Sequence, residues 1–448
     1  MTVSTAKPKS RPPINSLLEA DRPFHGWYRF VLSYPPHLVR QYCEHFDLGE
    51  NSLVLDPFCG TGTTLVEAKK NGIPSIGCDA HPFAALVSRV KTNWNLDTGL
   101  LRGLANRICK AADKSLTRNG LEQLSFESAF IQETAPTTFS GLNEDEQKIL
   151  PTGFVSERPL RRLLLLRKEI IASTEASEVG VREFFLVALG HVIANGAGNF
   201  AFGPEIYRTK PKEDYDVTGH YARQITQMMD DLDDARLHGI GDCAATVMEC
   251  DARSLTDLPG NISAVITSPP YPNEKDYTRT TRVESLILGL MSDKKTLRHI
   301  KESLLRSNTR NIFVDDRDRD EVREFQSIQK ICAEIEGRRL DLGKTSGFEK
   351  LYHKVVSHYF GGMRRHFRAL YPKLRAGAPL AYVVGDQLSF LMVHIPTATL
   401  LGEVAESEGY KITGCDLWRE RVATKIRNDL EGRKTMRIRE EILLLKKA

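Results

Sequence analysis

The segment Ser52-Leu-Val-Leu-Asp-Pro-Phe-Cys-Gly-Thr-Gly-Thr-Thr64 combines an apolar run, an acid and a glycine-containing loop. The helical stretch Leu65-Val-Glu-Ala-Lys-Lys70 follows at once, so the pattern predicts a strand, a tight turn and a helix. Gly60 and Gly62 permit the turn and let a ligand approach the backbone, while the helix N-terminus offers N–H groups to a negative group. We therefore predict an α/β unit with a ligand site at the carboxyl end of its strand.

A second short strand is predicted over Pro74-Ser-Ile-Gly-Cys-Asp79. Asp79 lies about 20 residues beyond the glycine loop, where a βαβ nucleoside site places its acceptor for the ribose hydroxyls. The alternative is that this acid caps the next helix. A dinucleotide site fits less well, because the loop lacks the third glycine of G-x-G-x-x-G and the pair Asp56-Pro57 is foreign to that fingerprint.

Another informative segment is the apolar run Ile262-Ser-Ala-Val-Ile266, which passes directly into Thr267-Ser-Pro-Pro-Tyr271. The run predicts a buried strand, and the prolines predict a stiff loop after it, because each fixes φ and donates no backbone N–H. Free carbonyls, a polar side chain and a flat ring at this position suit the binding of a planar amine, such as the exocyclic amine of a nucleobase. Taken alone, two prolines are also an ordinary way to end a strand.

Together, Asp56-Pro-Phe-Cys-Gly-Thr-Gly-Thr-Thr64 and Thr267-Ser-Pro-Pro-Tyr271 resemble the motifs of the amino-group DNA methyltransferases. These enzymes use S-adenosylmethionine to methylate N4 of cytosine or N6 of adenine. The resemblance implies an α/β fold, a Rossmann-like class I methyltransferase sheet with helices on both faces and a mostly helical insertion. The Ser-Pro-Pro-Tyr form resembles the cytosine-N4 members more often than Asp-Pro-Pro-Tyr does. Cytosine N4 is thus the expected target, with adenine N6 as the alternative.

The resemblance also implies which residues are catalytic, namely Ser268, Pro269, Pro270 and Tyr271. Ser268 Oγ and the Pro269 carbonyl are expected to accept hydrogen bonds from the target amine. Tyr271 is expected to stack on a base that has left the duplex. Transfer is then a direct displacement without a metal, and a covalent cytosine-C5 mechanism is disfavoured because Cys59 lies in the cofactor loop.

The implied cofactor is S-adenosylmethionine. The segment 25–39 resembles the one that closes over the methionine end of the cofactor, and 248–255 resembles the motif whose acid contacts its adenine amine. That acid is Asp251, which alternatively caps a helix. The predicted cofactor-binding residues are Tyr34, Asp56, Pro57, Phe58, Gly60, Gly62, Thr63, Asp79 and Asp251.

The resemblance divides the chain into three parts. Residues 22–94 and 241–448 are the predicted catalytic domain, and the polar, proline-containing residues 1–21 are a predicted disordered tail. Residues 95–240 are predicted to form a mostly helical insertion, because 160–167 and 181–193 carry apolar residues at helical spacing. A lid, a DNA-recognition region and a scaffold are its candidate roles.

Composition limits the remaining possibilities. A chain of 448 residues with 41% hydrophobic content is large enough for one α/β core and a helical satellite. No apolar run approaches a membrane-spanning length and the N-terminus lacks a signal core, so we expect a cytoplasmic protein without a membrane partner. Eight cysteines without a close metal-type pair predict reduced thiols and no metal site.

A net charge of only +4 means that DNA affinity has to come from local patches. Three basic runs are candidates, at 294–310, 364–368 and 419–439, and the one at 364–368 is interpreted as a solvated helix face. The run at 294–310 follows the catalytic loop and ends in Ser-Asn-Thr-Arg-Asn, which suits phosphate and base contacts. We therefore predict that double-stranded DNA is bound by Lys294, Lys295, Arg298, Arg306 and Arg310. Residues 315–322 are predicted to be an exposed loop or helix start.

Other functions remain open at this level. An RNA methyltransferase acting on a base amine would use the same loop, and a binding protein could keep the fold without turnover. A glutamine-directed protein methyltransferase also uses a Pro-Pro-Tyr loop, but typically with Asn at the position of Ser268. A cognate restriction endonuclease is a candidate partner if the protein modifies DNA.

Overall fold

The computed structural model describes residues 17–30, 32–123, 141–202, 205–272, 276–424 and 435–448. Most of the predicted disordered tail, 1–21, lies outside these described residues. The strands are β1 (Val54–Asp56), β2 (Ser75–Asp79), β3 (Phe200–Phe202), β4 (Ile206–Arg208), β5 (Ala245–Glu249), β6 (Ala264–Thr267), β7 (Pro379–Gly385), β8 (Tyr410–Thr424) and β9 (Thr435–Lys447).

Within the described ranges, a seven-stranded sheet has the order β5-β2-β1-β6-β7-β9-β8. The pairs from β5 to β7 are parallel, and β9 is antiparallel to both β7 and β8. The chain therefore has the predicted α/β class, a mostly parallel sheet with an antiparallel hairpin at one edge.

Helices precede and connect these strands. They are α1 (Arg22–His25), α2 (Pro36–His45), α3 (Thr63–Lys70), α4 (Pro82–Thr92), α5 (Thr98–Arg118), α6 (Glu144–Ile149), α7 (Glu157–Ser173), α8 (Val179–Val192), α9 (Val217–Leu237), α10 (Tyr277–Thr280), α11 (Arg282–Ile287), α12 (Lys294–Ser303), α13 (Gln326–Asp341), α14 (Tyr352–Leu370) and α15 (Thr397–Ser407).

The centre of the sheet brings the two sequence motifs together. Strand β1 pairs with β2 on one side and with β6 on the other, with Val54 in register with both Ser75 and Ala264. Because all three strands are parallel, their carboxyl ends lie at one edge of the sheet. The glycine loop, Asp79 and the Thr267-Ser-Pro-Pro-Tyr271 loop therefore share that edge.

Helices α5 to α9 occupy much of residues 95–240. They share an apolar core with α4, one of the helices that cover the sheet. Leu101, Phe184 and Met228 belong to the same buried cluster as Phe83 of α4. The segment before β1 joins this cluster as well: Phe24 stacks on Trp94 with ring centroids 4.0 Å apart. The helical region is thus packed directly against the helices that cover the sheet.

Helix α8 departs from the expectation that no apolar run approaches a membrane-spanning length. With the π-helical turn that follows it, Val179–Ala197 extends over 19 residues at a mean hydropathy of 1.2. Of its most apolar window, 61% is buried inside the protein. A buried core helix can be as long and as apolar as a membrane-spanning helix, because each of its faces packs against other parts of the protein.

Candidate active site

A cavity of about 1060 Å³ lies at the carboxyl ends of the parallel strands. Its wall includes the glycine loop after β1, Asp79 at the end of β2 and the loop after β6. Residues 303–305 and 307–311, with residues of β8 and β9, also line it. Two motifs that are about 200 residues apart in the sequence therefore line one space, as ligand sites of open α/β sheets do.

The glycine loop has a backbone that only glycine adopts without strain. Gly60 and Gly62 have φ values of +51° and +84°. A Cβ on Gly62 would lie 2.7 Å from Ser88 Oγ, whereas a Cβ on Gly60 would meet no described atom within 4 Å. Gly60 also lines the cavity, so a side chain there would enter it. Gly62 instead lets the loop pack closely on α4.

Asp79 is held in place by two backbone donors. Its Oδ2 accepts the Gly60 N–H at 2.9 Å, and its Oδ1 accepts the His81 N–H at 2.8 Å. Burial raises the pKa of this carboxyl to about 6, against the opposing effect of these bonds. The side chain therefore joins the ends of two strands while it lines the cavity.

Asp56 lies beneath the cavity, is not among its lining residues and connects three segments. Its Oδ1 accepts the Thr267 hydroxyl at 2.6 Å and the Phe58 N–H at 3.1 Å, and its Oδ2 accepts the Tyr34 hydroxyl at 2.8 Å. The Tyr34 hydroxyl also contacts Thr64. Burial raises the pKa of Asp56. This carboxyl thus fixes the two motif loops relative to each other.

The other predicted cofactor residues divide into two groups. Tyr34, Pro57, Phe58 and Thr63 line the cavity. Asp251 does not, and its carboxylate accepts from Arg253 Nε at 3.0 Å and Nη2 at 2.7 Å. The neighbouring residue, Ala252, lies on the cavity wall.

All four predicted catalytic residues line the cavity. Ser268 Oγ donates its proton to the Val383 carbonyl of β7 at 3.1 Å, so its lone pairs remain available to accept a hydrogen bond. The Tyr271 ring lies against Gly385, where a Cβ would be only 2.8 Å from its Cε2. Glycine at this position therefore creates the space in which the ring sits.

The predicted DNA-binding residues have different environments. Lys294 and Lys295 are exposed at the start of α12, and Arg298 is exposed and pairs with Glu302 at 2.8 Å. Arg310 is exposed and lines the cavity.

Arg306 differs from the other predicted DNA-binding residues, because its side chain is only 6% exposed and is not available for a contact with DNA. Its guanidinium pairs with Asp316 and donates to the carbonyls of Lys301 and Glu302 at 3.1 Å each. Residues 315–322 are exposed in part, as predicted, at Asp315, Arg317 and Arg319, and a short 3-10 helix begins at Asp318. Asp316 and Asp318 have side chains that are 4% and 0% exposed, in ion pairs with Arg306 and Arg253.

The structure adds wall residues that the sequence motifs did not identify. His81 lines the cavity, its Nδ1 is buried without a hydrogen-bond partner among the described residues, and burial lowers its pKa to about 4. Its position two residues after Asp79 was the available signal. Trp418, Arg419 and Glu440 lie on β8 and β9, and the basic run at 419–439 was the available signal in the sequence for this region.

The described residues contain no group of three or more His, Cys, Asp or Glu side chains arranged to hold a metal ion. Cys59 lines the cavity, but burial raises its pKa well above that of a free thiol. Its thiolate, the nucleophilic form, is therefore scarce at neutral pH.

Comparison with known proteins places this site in context. Residues 29–88 match the N6/N4 methyltransferase family model, described as DNA methylase. The type II methyltransferase M.BsoBI of Geobacillus stearothermophilus is 24% identical over 412 residues, which cover 86% of this chain and 78% of that protein. M.AvaI of Nostoc sp., also a type II methyltransferase, is 23% identical over 428 residues, or 90% and 82% of the two chains.

Among solved structures, TrmN from Thermus thermophilus has a TM-score of 0.28 at 12% identity, covering 95% of this chain and 53% of that one. The fold is therefore assigned here from the strand order itself.

Proposed function

We propose that the chain is an S-adenosylmethionine-dependent DNA methyltransferase of a type II restriction-modification system that methylates N4 of cytosine. The match of residues 29–88 to the N6/N4 DNA methylase model and the similarity to type II methyltransferases support this proposal. The observation that carries the proposal is that one cavity contains both parts of the site. This cavity joins a nucleoside-type site, formed by the glycine loop and Asp79, to an amine-binding loop at Ser268–Tyr271. A cytoplasmic location, where DNA is accessible in bacteria, belongs to the same proposal.

The cofactor side of the cavity fits S-adenosylmethionine. Asp79 is a buried acceptor on the wall, suited to ribose hydroxyls, and Gly60 leaves open the space that a Cβ would fill. Tyr34 and Phe58 add aromatic surface on the same side. When bound, the cofactor supplies a methyl group that passes directly to the target nitrogen.

The amine side prepares the target nitrogen for reaction. The exocyclic nitrogen of a base is a poor nucleophile because its lone pair is delocalised into the ring. Acceptors around its N–H groups favour the tetrahedral geometry and the developing positive charge. Ser268 Oγ, whose own proton is directed to Val383, and the Pro269 carbonyl are these acceptors.

Tyr271 holds the extruded base against the cavity wall. Its ring is seated on Gly385, so a base that stacks on it is oriented with little loss of side-chain entropy. The target nitrogen loses a proton to water after transfer, since a serine hydroxyl is no useful base at neutral pH.

DNA is expected to approach the mouth of the cavity from the side of Arg310 and α12. Arg310, Arg419 and Arg421 lie on the wall, and Lys294 and Lys295 are exposed nearby in the sequence. A net charge of +4 gives little general attraction for DNA, so the charges of these residues are expected to supply local contacts with phosphates.

The test is methyl transfer from labelled S-adenosylmethionine to duplex DNA, followed by digestion and mass detection of N4-methylcytosine, N6-methyladenine and 5-methylcytosine. We expect N4-methylcytosine. Tyr271→Ala should abolish transfer while cofactor binding, measured by calorimetry, is retained. Tyr271→Phe keeps the ring and should remain active, which makes it the matched control.

Each alternative has its own outcome. Formation of N6-methyladenine alone overturns the choice of base but not of the reaction. Transfer to RNA alone overturns the choice of nucleic acid. Cofactor binding without any transfer favours a non-catalytic binding protein.

A further inference from the structure

A row of three residues crosses the sheet beside the catalytic loop. Gly385 on β7 pairs with Glu440 on β9, and Glu440 pairs with Arg419 on β8, so the three are lateral neighbours on one face. A Cβ on Gly385 would lie 2.8 Å from Tyr271 Cε2 and 3.4 Å from Glu440 Cγ. Arg419 therefore lies two strands from the residue covered by the Tyr271 ring, on the wall of the same cavity.

Arg419 is oriented by Glu440. Its Nη2 donates to Glu440 Oε1 at 2.9 Å, and its Nε donates to Oε2, so one edge of the planar guanidinium is fixed by a bidentate pair. The hydrogen bond to Glu440 is the largest effect raising the pKa of Arg419, and nearby Tyr271 contributes in the same direction.

The second edge of this guanidinium carries Nη1 and the other Nη2 hydrogen. In the part of the chain that the structure describes, Nη1 makes no hydrogen bond. The Arg419 side chain is 27% exposed and lines the cavity, so these donors are accessible to a ligand. Two parallel donors on a fixed plane match two adjacent acceptors in a flat ring.

We propose that the second edge of Arg419 contacts the ring of the flipped base and selects cytosine over adenine, an inference that rests on the proposed function. Beside its exocyclic amine, cytosine presents two adjacent acceptors, N3 and O2. Adenine presents only N1, followed by a C–H group. A site built for two acceptors rejects a base that leaves one buried donor unpaired.

A cross-strand pair of arginine and glutamate also stabilises a hairpin by itself. The two roles make different predictions. A structural Arg419 changes transfer to every substrate by the same factor, whereas an Arg419 that binds the base changes most the substrates that keep both acceptors.

The experiment compares two forms of the protein on two forms of the substrate, in the manner of a double-mutant cycle. The substrates carry the methylation site, which is first mapped by sequencing. Single-turnover transfer is measured on duplexes that carry cytosine or a cytosine analogue without O2, with the wild type and with Arg419→Gln. We expect the wild type to lose about 10- to 100-fold on the analogue, the usual worth of one bidentate contact. Arg419→Gln should lose a similar factor on cytosine and little more on the analogue.

Arg102→Gln is the matched control, because Arg102 also bonds carboxylates, Asp230 and Asp233, but does not line the cavity. It should behave as the wild type. Calorimetry with S-adenosylmethionine checks that Arg419→Gln remains folded on the cofactor side.

An equal loss on the analogue in the wild type and in Arg419→Gln overturns the role of Arg419 while leaving cytosine-N4 methylation intact. Methylation of adenine alone overturns the proposed function and this inference together. The two failures are therefore distinguishable in the same set of reactions.

Discussion

The two sides of the cavity are built in contrasting ways. Most of the cofactor side comes from one βαβ unit, in which the Asp79 carboxylate accepts main-chain N–H groups such as that of Gly60. The base side is assembled from distant segments, 268–271, 303–311, 348–352, 418–421 and 438–440. The contrast teaches that the cofactor side depends on backbone geometry, whereas the base side depends on side-chain ion pairs that hold remote segments together.

The largest expected effect concerns the buried ion pairs behind the wall segment that begins at Ser303, where Arg253 also donates to the Glu302 carbonyl. Asp318 is fully buried, with Oδ2 2.8 Å from Arg253 Nη1 and Oδ1 2.6 Å from Arg365 Nη1. Asp318→Ala leaves Arg253 buried without this partner, and we expect a loss of about 3–5 kcal/mol in the free energy of unfolding. Urea denaturation measures it.

Arg102→Ala is the reference for this substitution. Arg102 also bonds two carboxylates, but its side chain is 44% exposed, so the change should stay within about 1 kcal/mol. Equal effects of the two substitutions would contradict the claim that the base side depends on buried ion pairs.

A smaller effect is expected from the backbone of the cofactor side. In Gly62→Ala the new Cβ would lie 2.7 Å from Ser88 Oγ at a φ of +84°, so we expect a loss of about 1–3 kcal/mol in stability. In Gly60→Ala the Cβ enters the cavity, so cofactor affinity should fall more than stability does. Thermal unfolding and calorimetry, applied to both variants, separate the two roles; the reverse order would contradict them.

The smallest effect is a pH dependence on the cofactor side. Burial raises the pKa of Asp79 to about 6, so its carboxyl protonates as the pH falls from 7 to 5. Only the ionised form offers full acceptor capacity to ribose hydroxyls, and affinity for S-adenosylmethionine should fall about tenfold over this interval. Isothermal titration at several pH values measures it, and Asp79→Asn should bind weakly without this dependence.

Stability should respond to Asp79 in the opposite sense. The folded pKa lies above the unfolded value, so the folded protein binds more protons between about pH 4 and 6, and this group favours folding as the pH falls. Weaker cofactor binding at pH 5 that coincides with unfolding would therefore not support the assigned role.

Residues that are neighbours in the sequence were predicted well. The turn at Gly60 and Gly62, the strand that ends at Asp79 and the loop at Thr267–Tyr271 all occur where the sequence placed them. Each depends on local conformational preferences, which the residue types determine directly. Apolar periodicity likewise predicted the helices α7 and α8.

Side-chain roles that depend on distant partners were predicted less well. Arg306 belongs to a basic run that suggested DNA contact, but Asp316 and three main-chain carbonyls bind its guanidinium inside the protein. Asp251 is paired with Arg253, whose position depends in turn on Asp318. A charge in a sequence does not reveal whether its partner is water, another side chain or a ligand.

Residue types and their local order were enough to predict the α/β fold and the two loops that line the cavity, because turns, strands and glycine conformations follow from short-range sterics and hydrogen bonding. Which arginines face the cavity depended instead on the folded arrangement of the chain. Sheet register placed Arg419 beside Glu440 and Gly385, and burial directed Arg306 into the core. The physical reason is that the environment of a charge is set by segments far apart in the sequence, which meet only after the sheet has formed.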